Sequence, residues 1–597
     1  MLNNDGFFKY KRIQLNEDES EEVNELLELV KAEPYFHTGG ILYRYEIEEK
    51  DDETIEYIRQ LGFACEVSTR YSTWDGTENF IIFSFIKNDI DYEFLLPIDV
   101  MLIKNVQQLF ARGYFYDQKR DSEIAKYLTI SEQLAPQKFC HSFVGLHEVD
   151  GKKVFALDKT VGDFESDYNG IFDLEPRGAL DVWIDLIKDS VVGRTGLEFA
   201  LCAGFSAMIL NFLPEENQGE CIFVNIGGSL PSSVGKSTGL MIGASIFGNP
   251  SNKGGRLLNT WRATDNALPI LVGKDNMGVL VCFDEYGLRE RKENIDFLYL
   301  FSQGRDKERS KSEGGLRENH QFCTTIMSSS EISILAAARN VKEGQLHRCI
   351  QFGNGFDFTN GADHADHIKS ILINHYGHAA PLCAQFLLDN QEKIKEWYRK
   401  THDKFKTILN TDDKLKLRVA KRYSIILLAG FIANKIFGFG MDIGKQMRLC
   451  TENIHDCFND MAEDERALEC LFQFVAHNNN KFPDNTQSNG FFLYDNIYGF
   501  YEKKKGRTQL VISAKIFEDV MREGGFEDPQ KIVSLIKTRG LLDFEQGKTY
   551  RERKLCGKRN VKCYVIIFDE SGNTDVLSQK PNAKIIDMTE QETSLDF

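Results

Sequence analysis

The sequence predicts an α/β core, a parallel sheet with covering helices and a helical lid, between an α+β N-terminal region and a C-terminal winged helix. Three observations support the core. An apolar run, Ile222–Ile226, leads into a glycine- and serine-rich turn that ends in Gly-Lys-Ser-Thr. A second apolar run, Val279–Phe283, ends in two carboxylates. Strand-like and helix-like patterns then alternate as far as residue 352. This alternation is typical of a parallel sheet.

The turn after the first run predicts a nucleoside triphosphate site, because strand, glycine-rich turn and helix form the usual phosphate-binding arrangement. Backbone N–H groups of the turn and the positive end of the following helix would face the phosphates. The predicted nucleotide-binding residues are Ser232, Ser233, Val234, Gly235, Lys236, Ser237 and Thr238. Lys236 can reach the β- and γ-phosphates, and the Ser237 hydroxyl can ligate Mg²⁺. One departure stands out, since Leu230 occupies the position where the usual pattern has a glycine.

The two carboxylates at the end of the second apolar run are the acidic groups that a hydrolytic site requires. Asp284 is placed to hold the metal, and Glu285 is placed to activate a water molecule. A strand predicted at Phe322–Ser329 ends in hydroxyls, and Ser329, or its neighbour Ser328, can orient that water. A lone Gly-Lys-Ser is sometimes only a turn before a helix. The carboxylate pair at a suitable distance argues against that alternative.

Three arginines are candidates for transition-state contacts. Arg348 precedes a strand far from the phosphate loop, where an arginine can complete a neighbouring subunit's site. The alternative is an ordinary surface ion pair. Arg418 and Arg422 lie one helical turn apart in a strongly helical stretch, so both share one face. They fit a lid that bends over a phosphate, or a solvated basic face.

The polar, glycine-containing stretch Arg305–Arg317 is a candidate DNA contact. As a β-hairpin it would carry Lys307, Arg309 and Lys311 into a central channel, where they would grip phosphates. Two glutamates within the stretch dilute its basicity, and a flexible surface loop remains the alternative.

A second candidate DNA contact lies near the C-terminus. Helices predicted at Ser513–Arg522 and Asp528–Thr538 precede a basic hairpin across Gly557, which is the element order of a winged helix.

The histidines between Asp363 and His378 resemble a metal cluster, but a helix N-terminus explains the pattern better.

Composition limits the remaining possibilities. A chain of 597 residues is too long for one core, and its net charge of −18 argues against an outer surface coated with nucleic acid. Thirteen scattered cysteines indicate reduced thiols, and the apolar stretch Tyr423–Phe439 is too polar to span a membrane. We therefore expect a cytoplasmic protein. The expected domains are the accessory region at 1–170, the core at 171–380, the lid or linker at 381–480, the winged helix at 490–570 and a disordered tail at 571–597.

An ordered series of motifs resembles a known family. The series comprises the phosphate loop with Ser232-Ser233, Trp261–Thr264, Asp284-Glu285, the strand before Glu331, Arg348 and Arg418–Arg422. It resembles the ATPase family of mobile-element helicases, first catalogued as a domain of unknown function and related to the minichromosome maintenance helicases. The resemblance covers roughly residues 65–440. It implies an AAA+ fold, a homohexamer encircling DNA and 3′-to-5′ translocation. It also implies that Arg348 acts in trans, that Arg418 is a lid arginine and that 305–317 is a pore hairpin.

These observations predict an ATP- and Mg²⁺-dependent DNA helicase that loads onto duplex DNA and unwinds it during replication of a mobile element. Its partners would be single-stranded DNA, duplex DNA and further copies of itself. Alternatives are an origin-binding initiator or helicase loader that hydrolyses ATP without unwinding, and a DNA-packaging or other translocating ATPase. The presence of Glu285 favours hydrolysis over simple nucleotide switching.

Overall fold

The computed structural model describes most of the chain from residue 35 to residue 567. The described ranges are 35–50, 53–74, 76–227, 234–290, 294–305, 321–331, 333–337, 343–459, 463–484, 497–504, 507–524, 526, 528–545, 547–555 and 559–567. The chain divides into two compact units. One contains the described residues up to 143 together with 147–170, and the other contains 144–146 and the described residues from 171 onward.

The first unit is mainly β-structure. Its strands are β1 Tyr35–Thr38, β2 Ile41–Lys50, β3 Glu53–Phe63, β4 Cys65–Thr73, β5 Asn79–Lys87, β6 Ile90–Pro97, β7 Gln137–His141, β9 Lys152–Ala156, β10 Thr160–Val161 and β11 Asp167–Tyr168, with β8 Val144–Val149 shared with the second unit. β1, β2 and β3 form one antiparallel sheet. A mixed sheet has the order β11-β7-β4-β5-β6. Helix α1, Asp121–Leu134, contributes Ile124 and Leu128 to the buried core.

The sequence also predicts a helical segment, Met101–Phe110, that ends at Gly113, but the chain does not form one continuous helix there. The chain forms two 3₁₀ helices, Ile98–Met101 and Val106–Arg112, because Leu102 adopts an extended conformation between them. The predicted end is confirmed, since Gly113 closes the second helix at φ 85°.

A parallel sheet forms the centre of the second unit. Its strands are β12 Ile222–Ile226, β13 Leu258–Thr260, β15 Val281–Asp284, β16 Thr325–Ser329 and β17 Cys349–Phe352, while β14 Asn276–Met277 lies outside this sheet. The order is β13-β15-β16-β12-β17, and every neighbouring pair is parallel. β12 and β16 are buried along their whole length, so both faces of the sheet centre are covered.

Helices surround this sheet and continue past it. They are α2 Leu180–Leu186, α3 Thr195–Ile209, α4 Pro214–Asn217, α5 Lys236–Ser245, α6 Leu268–Val272, α7 Phe297–Gln303, α8 Ile334–Ala337, α9 Glu343–Leu346, α10 Ala362–Leu372, α11 Ala379–Asp389, α12 Gln391–Leu409, α13 Lys414–Phe437 and α14 Ile443–Asn459. The helical character predicted for 385–450 is confirmed. Strand β13, in contrast, was not predicted from the sequence.

Helix α3 is buried at every position, which its continuous apolar sequence predicts. Among the described residues, the segment Thr195–Phe212 alone is long and apolar enough to cross a membrane, yet 94% of it is buried inside the protein. The core helix of a soluble protein passes the same test.

The C-terminal part of the second unit combines helices and a sheet. Helices α15 Glu463–His477, α16 Ala514–Glu523 and α17 Pro529–Thr538 share one hydrophobic core with part of the sheet β18-β19-β21-β20. The strands are β18 Gly499–Lys504, β19 Arg507–Ser513, β20 Arg551–Leu555 and β21 Arg559–Ile567. The two predicted helices are confirmed, and Asp528 caps α17 as expected. The predicted tail, 571–597, lies outside the described residues.

Candidate active site

The end of the phosphate loop is fixed by a residue far along the chain. Val234 carbonyl oxygen accepts hydrogen bonds from the Thr359 backbone N–H at 3.0 Å and from its hydroxyl at 2.9 Å. Gly235 follows at φ 101°, and a Cβ there would lie 2.5 Å from Thr359 Cγ2. Only glycine therefore fits where helix α5 begins at Lys236. Three residues of the predicted loop, Leu230, Ser232 and Ser233, lie outside the described part of the chain.

Asp284, at the end of β15, links the phosphate-loop helix to the neighbouring strand. Its Oδ1 accepts a hydrogen bond from Ser237 Oγ at 3.1 Å and a shorter one from Ser329 Oγ. The hydroxyl of Ser329 also accepts a hydrogen bond from the backbone N–H of Glu285 at 3.0 Å. Four predicted site residues therefore meet at the carboxyl edge of the sheet.

Glu285 adopts a left-handed conformation, φ 61° and ψ 72°, immediately after β15. It is exposed, whereas Asp284 beside it is half-buried. A non-glycine residue in this region of φ and ψ is held there by its surroundings. The backbone thus turns sharply at Glu285, and the two carboxylates differ in exposure.

Trp261 lies buried against this strand end and ties three strands together. Its backbone N–H donates to the Asp284 carbonyl oxygen at 3.2 Å, and its indole N–H donates to Ser328 Oγ at 2.9 Å. Ser328 is therefore engaged below the sheet edge. Of the two serines considered from sequence, Ser329 is the one whose hydroxyl contacts the Asp284 carboxylate and the Glu285 backbone.

The buried amide of Asn225, on β12, supports the end of the neighbouring strand β16. Asn225 Nδ2 donates to Ser330 Oγ at 2.9 Å and lies 3.5 Å from Gln351 Oε1. A Cβ on Gly227 would lie 2.1 Å from Ser330 Oγ, so this glycine permits the close approach. Sequence reasoning missed Asn225, Ser330 and Thr359, because their partners are more than 100 positions away.

Arg348 precedes β17 and is engaged within its own chain. Its Nε donates to Ser302 Oγ at 2.8 Å, its Nη1 donates to the Gly344 carbonyl, and its Nη2 lies 3.5 Å from Glu220 Oε1. The guanidinium also lies over the Tyr299 ring, 5.1 Å from the centroid. The side chain is 16% exposed, so this is not an ordinary surface ion pair.

Arg422 reaches the same carboxylate from helix α13. Its Nη2 pairs with Glu220 Oε2, and its Nη1 donates to the His347 carbonyl. Burial lowers the pKa of Arg422, and the Glu220 carboxylate opposes that shift. Glu220 therefore pairs with two guanidinium groups, one through each of its oxygens. Arg418, one turn away, is exposed instead, so the two arginines differ in environment.

The remaining predicted positions are not brought into this site. Lys307, Arg309 and Lys311 lie outside the described residues. Within the described ranges, no group of three histidine, cysteine or acidic side chains is placed to hold a metal ion. In the histidine-rich stretch, His375 Nδ1 accepts a hydrogen bond from the Ala179 N–H. His364 Nδ1 similarly accepts one from the Asn360 N–H.

The arrangement can bind an anion and place carboxylates beside it. Lys236 and the first N–H groups of α5 form a positive end, next to the hydroxyl of Ser237. Asp284 lies on the other side of that hydroxyl, and Glu285 follows at the exposed rim. A cation, a polyphosphate and a water molecule are the groups that these side chains would recognise.

Two kinds of comparison with known proteins found matches. Residues 36–321 match a family model described as Domain of unknown function (DUF927), and residues 462–571 match the Cch helix turn helix domain. A solved structure, "SCCmec type IV Cch - active helicase", superposes with a TM-score of 0.69 and 22% identity, over 91% of this chain and 98% of that chain. The chain resembles Cch.

The likeness to Cch confirms the resemblance predicted from the ordered motifs. It also extends beyond them, because the shared fold covers nearly the whole of both chains. The C-terminal helices and sheet lie within the part that matches the Cch helix turn helix domain. A comparison with curated protein sequences found no significant match.

Proposed function

We propose that this protein is an ATP-dependent DNA helicase with an AAA+ core, which forms a ring and unwinds DNA in the 3′-to-5′ direction for a mobile genetic element. The observation that carries the proposal is the meeting of Ser237, Asp284, Ser329 and Glu285 at the start of the phosphate-loop helix. The parallel order β13-β15-β16-β12-β17, with helices around it, supports an α/β nucleotide-binding core of this kind. The likeness to Cch, an active helicase, supports the same activity.

In this proposal each residue of the site has a separate role in ATP hydrolysis. Lys236 binds the β- and γ-phosphates of ATP together with the N–H groups of α5. Glu285 orients the attacking water and takes its proton. Ser329 fixes the Glu285 backbone and the Asp284 carboxylate in one arrangement. Arg418, exposed on α13, would contact phosphate when the lid closes.

Mg²⁺ fits the donors present, because a hydroxyl and a carboxylate already lie within hydrogen-bond distance of each other. Ser237 and Asp284 would hold it, and hard oxygen ligands of this kind are those that Mg²⁺ prefers. When bound, the ion neutralises charge on the β- and γ-phosphates.

Arg348 is proposed to complete the ATP site of a neighbouring subunit. To do so it would exchange Glu220 for a phosphate oxygen, so Glu220 holds the guanidinium in a defined place before that contact forms. The segment with Lys307, Arg309 and Lys311 is proposed to grip the DNA backbone in the ring's channel.

The C-terminal part is proposed to be a winged helix that binds duplex DNA during loading. Helices α16 and α17 form the helix-turn-helix, and β20 with β21 forms the wing. Lys531 and Ser534 lie exposed on α17, the helix that is proposed to enter a DNA groove. Arg551 on the wing pairs with Asp543, so part of the basic charge predicted there is neutralised within the chain.

The deciding experiment is strand displacement on forked DNA, with the 3′ and 5′ tails blocked in turn. The wild-type protein and Glu285→Gln are compared in the presence of ATP and Mg²⁺. We expect unwinding that requires a free 3′ tail and is lost in the variant. Hydrolysis without displacement on any fork would favour an initiator or loader instead.

A further inference from the structure

A buried arginine closes the short loop that begins with Glu285. The loop continues through the 3₁₀ helix Tyr286–Leu288 to Arg289. Arg289 is 4% exposed, and its Nη2 forms an ion pair with Asp265 Oδ1 at 2.6 Å. Within the described part of the chain, Nε and Nη1 of Arg289 have no hydrogen-bond partner. A single carboxylate therefore anchors a buried charge.

Two aromatic rings complete the surroundings of this guanidinium. Its Cζ lies 5.4 Å from the centroid of Trp261 and 4.8 Å from that of Phe297. Both distances are within the range of cation–π attraction, which is strongest where water is excluded. Arg289 is thus held by Asp265, Trp261 and Phe297, from two other stretches of the chain.

The same stretch also holds the start of the loop. The Trp261 backbone N–H donates to the Asp284 carbonyl oxygen, and the Trp261 ring packs edge-on against Tyr286 at 5.2 Å between centroids. Glu285, between these contacts, keeps its left-handed backbone while its side chain is exposed. Both ends of the loop are therefore fixed against one segment, residues 261–265.

We propose that Arg289 is a positioning residue, and that its contacts with Asp265, Trp261 and Phe297 set the direction of the Glu285 carboxylate. This inference rests on the proposed hydrolysis of ATP. A buried ion pair adds little to stability when an apolar side chain could fill the same space. Its value here is geometric, because a planar guanidinium fixed by a carboxylate and two rings permits few orientations of the loop.

The test uses the full-length protein and the variants Arg289→Met, Arg289→Lys and Asp265→Asn. Steady-state ATP hydrolysis gives kcat and KM, binding of a fluorescent ATP analogue gives the affinity, and thermal unfolding reports folding. Arg399→Met is the matched control, since Arg399 is exposed on α12. We expect Arg289→Met to lower kcat about 10- to 100-fold with less than a threefold change in nucleotide affinity.

Partial recovery of kcat in Arg289→Lys would support a role for the charge. Addition of Asp265→Asn to Arg289→Met should cause little further loss, because the two residues act as one unit. A wild-type kcat in Arg289→Met refutes the inference alone. Equal losses of affinity and thermal stability without a loss in kcat also refute it, since they indicate a structural role. No hydrolysis by the wild-type protein refutes the proposed function and this inference with it.

Discussion

Asp284 receives two hydroxyl groups on a single oxygen, from residues 47 and 45 positions away in the sequence. The sequence indicated all three of these residues, since Gly-Lys-Ser, Asp-Glu and a strand that ends in hydroxyls are local patterns with a known chemistry. It did not predict Thr359 or Asn225. Their importance arises from distances across the sheet, and nothing in their immediate neighbours indicates those distances.

Replacement of Ser329 tests whether its hydroxyl organises the carboxylates. Ser329→Ala removes the bond to Asp284 and the bond from the Glu285 N–H. We expect kcat for ATP hydrolysis to fall about 10- to 100-fold, with nucleotide affinity nearly unchanged, because only the geometry around the water is altered. Steady-state kinetics and binding of a fluorescent ATP analogue measure both quantities.

The control is Ser370→Ala, which removes an exposed hydroxyl from helix α10. If Ser329→Ala hydrolyses ATP as fast as Ser370→Ala does, the proposed role of Ser329 is wrong.

His141 gives the first unit a dependence on pH. It is buried, its Nε2 bonds the Leu157 carbonyl, and its Nδ1 bonds Ser166 Oγ at 2.9 Å. Burial lowers the pKa of His141 from 6.5 to about 4. The unfolded chain therefore binds this proton in a pH range where the folded unit does not. Stability present at pH 7 is lost as the pH falls from about 6.5 to about 4.

From this shift in pKa we expect the free energy of unfolding of the first unit to be about 2 kcal/mol lower at pH 5 than at pH 7. Hydrogen exchange of residues 137–168, corrected for intrinsic rates, measures the free energy of opening at both values. His141→Gln should remove most of this difference, whereas His367→Gln, at an exposed position, should retain it. Identical pH dependence in His141→Gln and the wild type would contradict the prediction.

At the scale of elements, apolar runs were predictable and short or edge strands were not. β12, β15 and β16 are largely apolar, buried segments, and their positions follow from sequence. β13 has three residues at the sheet edge, too few for a periodic signal. Likewise, the hairpin of β18 and β19 was not predicted, because its strands become recognisable only through their pairing.

The carboxylate between two arginines permits a stability prediction. Glu220→Gln would leave Arg348 and the buried Arg422 without their shared counter-charge. We expect the free energy of unfolding to fall by about 3 kcal/mol, because removal of one partner strands a buried charge. Urea denaturation of the full chain measures the change.

Glu215→Gln is the matched control, since the Glu215 side chain is 77% exposed and pairs with Lys395 on the surface. It should change the free energy of unfolding by less than about 1 kcal/mol. Equal effects of the two variants would show that the Glu220 ion pairs contribute no more to the free energy of unfolding than a surface ion pair does.

Helix α17 carries the prediction for duplex recognition. Lys531→Ala combined with Ser534→Ala alters its exposed face, and we expect roughly tenfold weaker binding to duplexes that the wild type selects from a random pool. ATP hydrolysis without DNA should be unaffected. Lys515→Ala, at an exposed site on α16, is the control for loss of charge. Unchanged affinity in the double variant would show that this face of α17 does not contact the duplex.

For the whole molecule, the order of parts was predictable from the order of motifs. A phosphate loop, a carboxylate strand, a helical stretch and a helix-hairpin unit each have their own pattern. Their boundaries were less predictable. Helix α15 lies in the stretch expected to be lid or linker, yet its apolar face packs with α16 and α17. An amphipathic pattern shows that a helix buries one face, but it does not show which hydrophobic core that face joins. The packing of the folded chain determines this.

Mixed assemblies test whether Arg348 acts on a neighbouring subunit. Arg348→Ala alone and Lys236→Ala alone should both be inactive in ATP hydrolysis. A mixture should recover part of the activity, because an intact nucleotide site can then meet an intact arginine. Light scattering would verify that both variants assemble. Assembly into mixed rings without any recovery would count against action in trans.

The place of β12 in the sheet has a consequence for synthesis of the protein. Both its neighbours, β16 and β17, are made more than 95 residues later, and Thr359, which fixes the loop end, is made later still. At ordinary translation rates, the interval between Ile226 and Thr359 lasts roughly 7 to 27 s. Until Thr325, the first residue of β16, is made, a strand with four apolar side chains out of five has neither of its partners. The nascent chain therefore presents a binding site for chaperones well before it can bind a nucleotide.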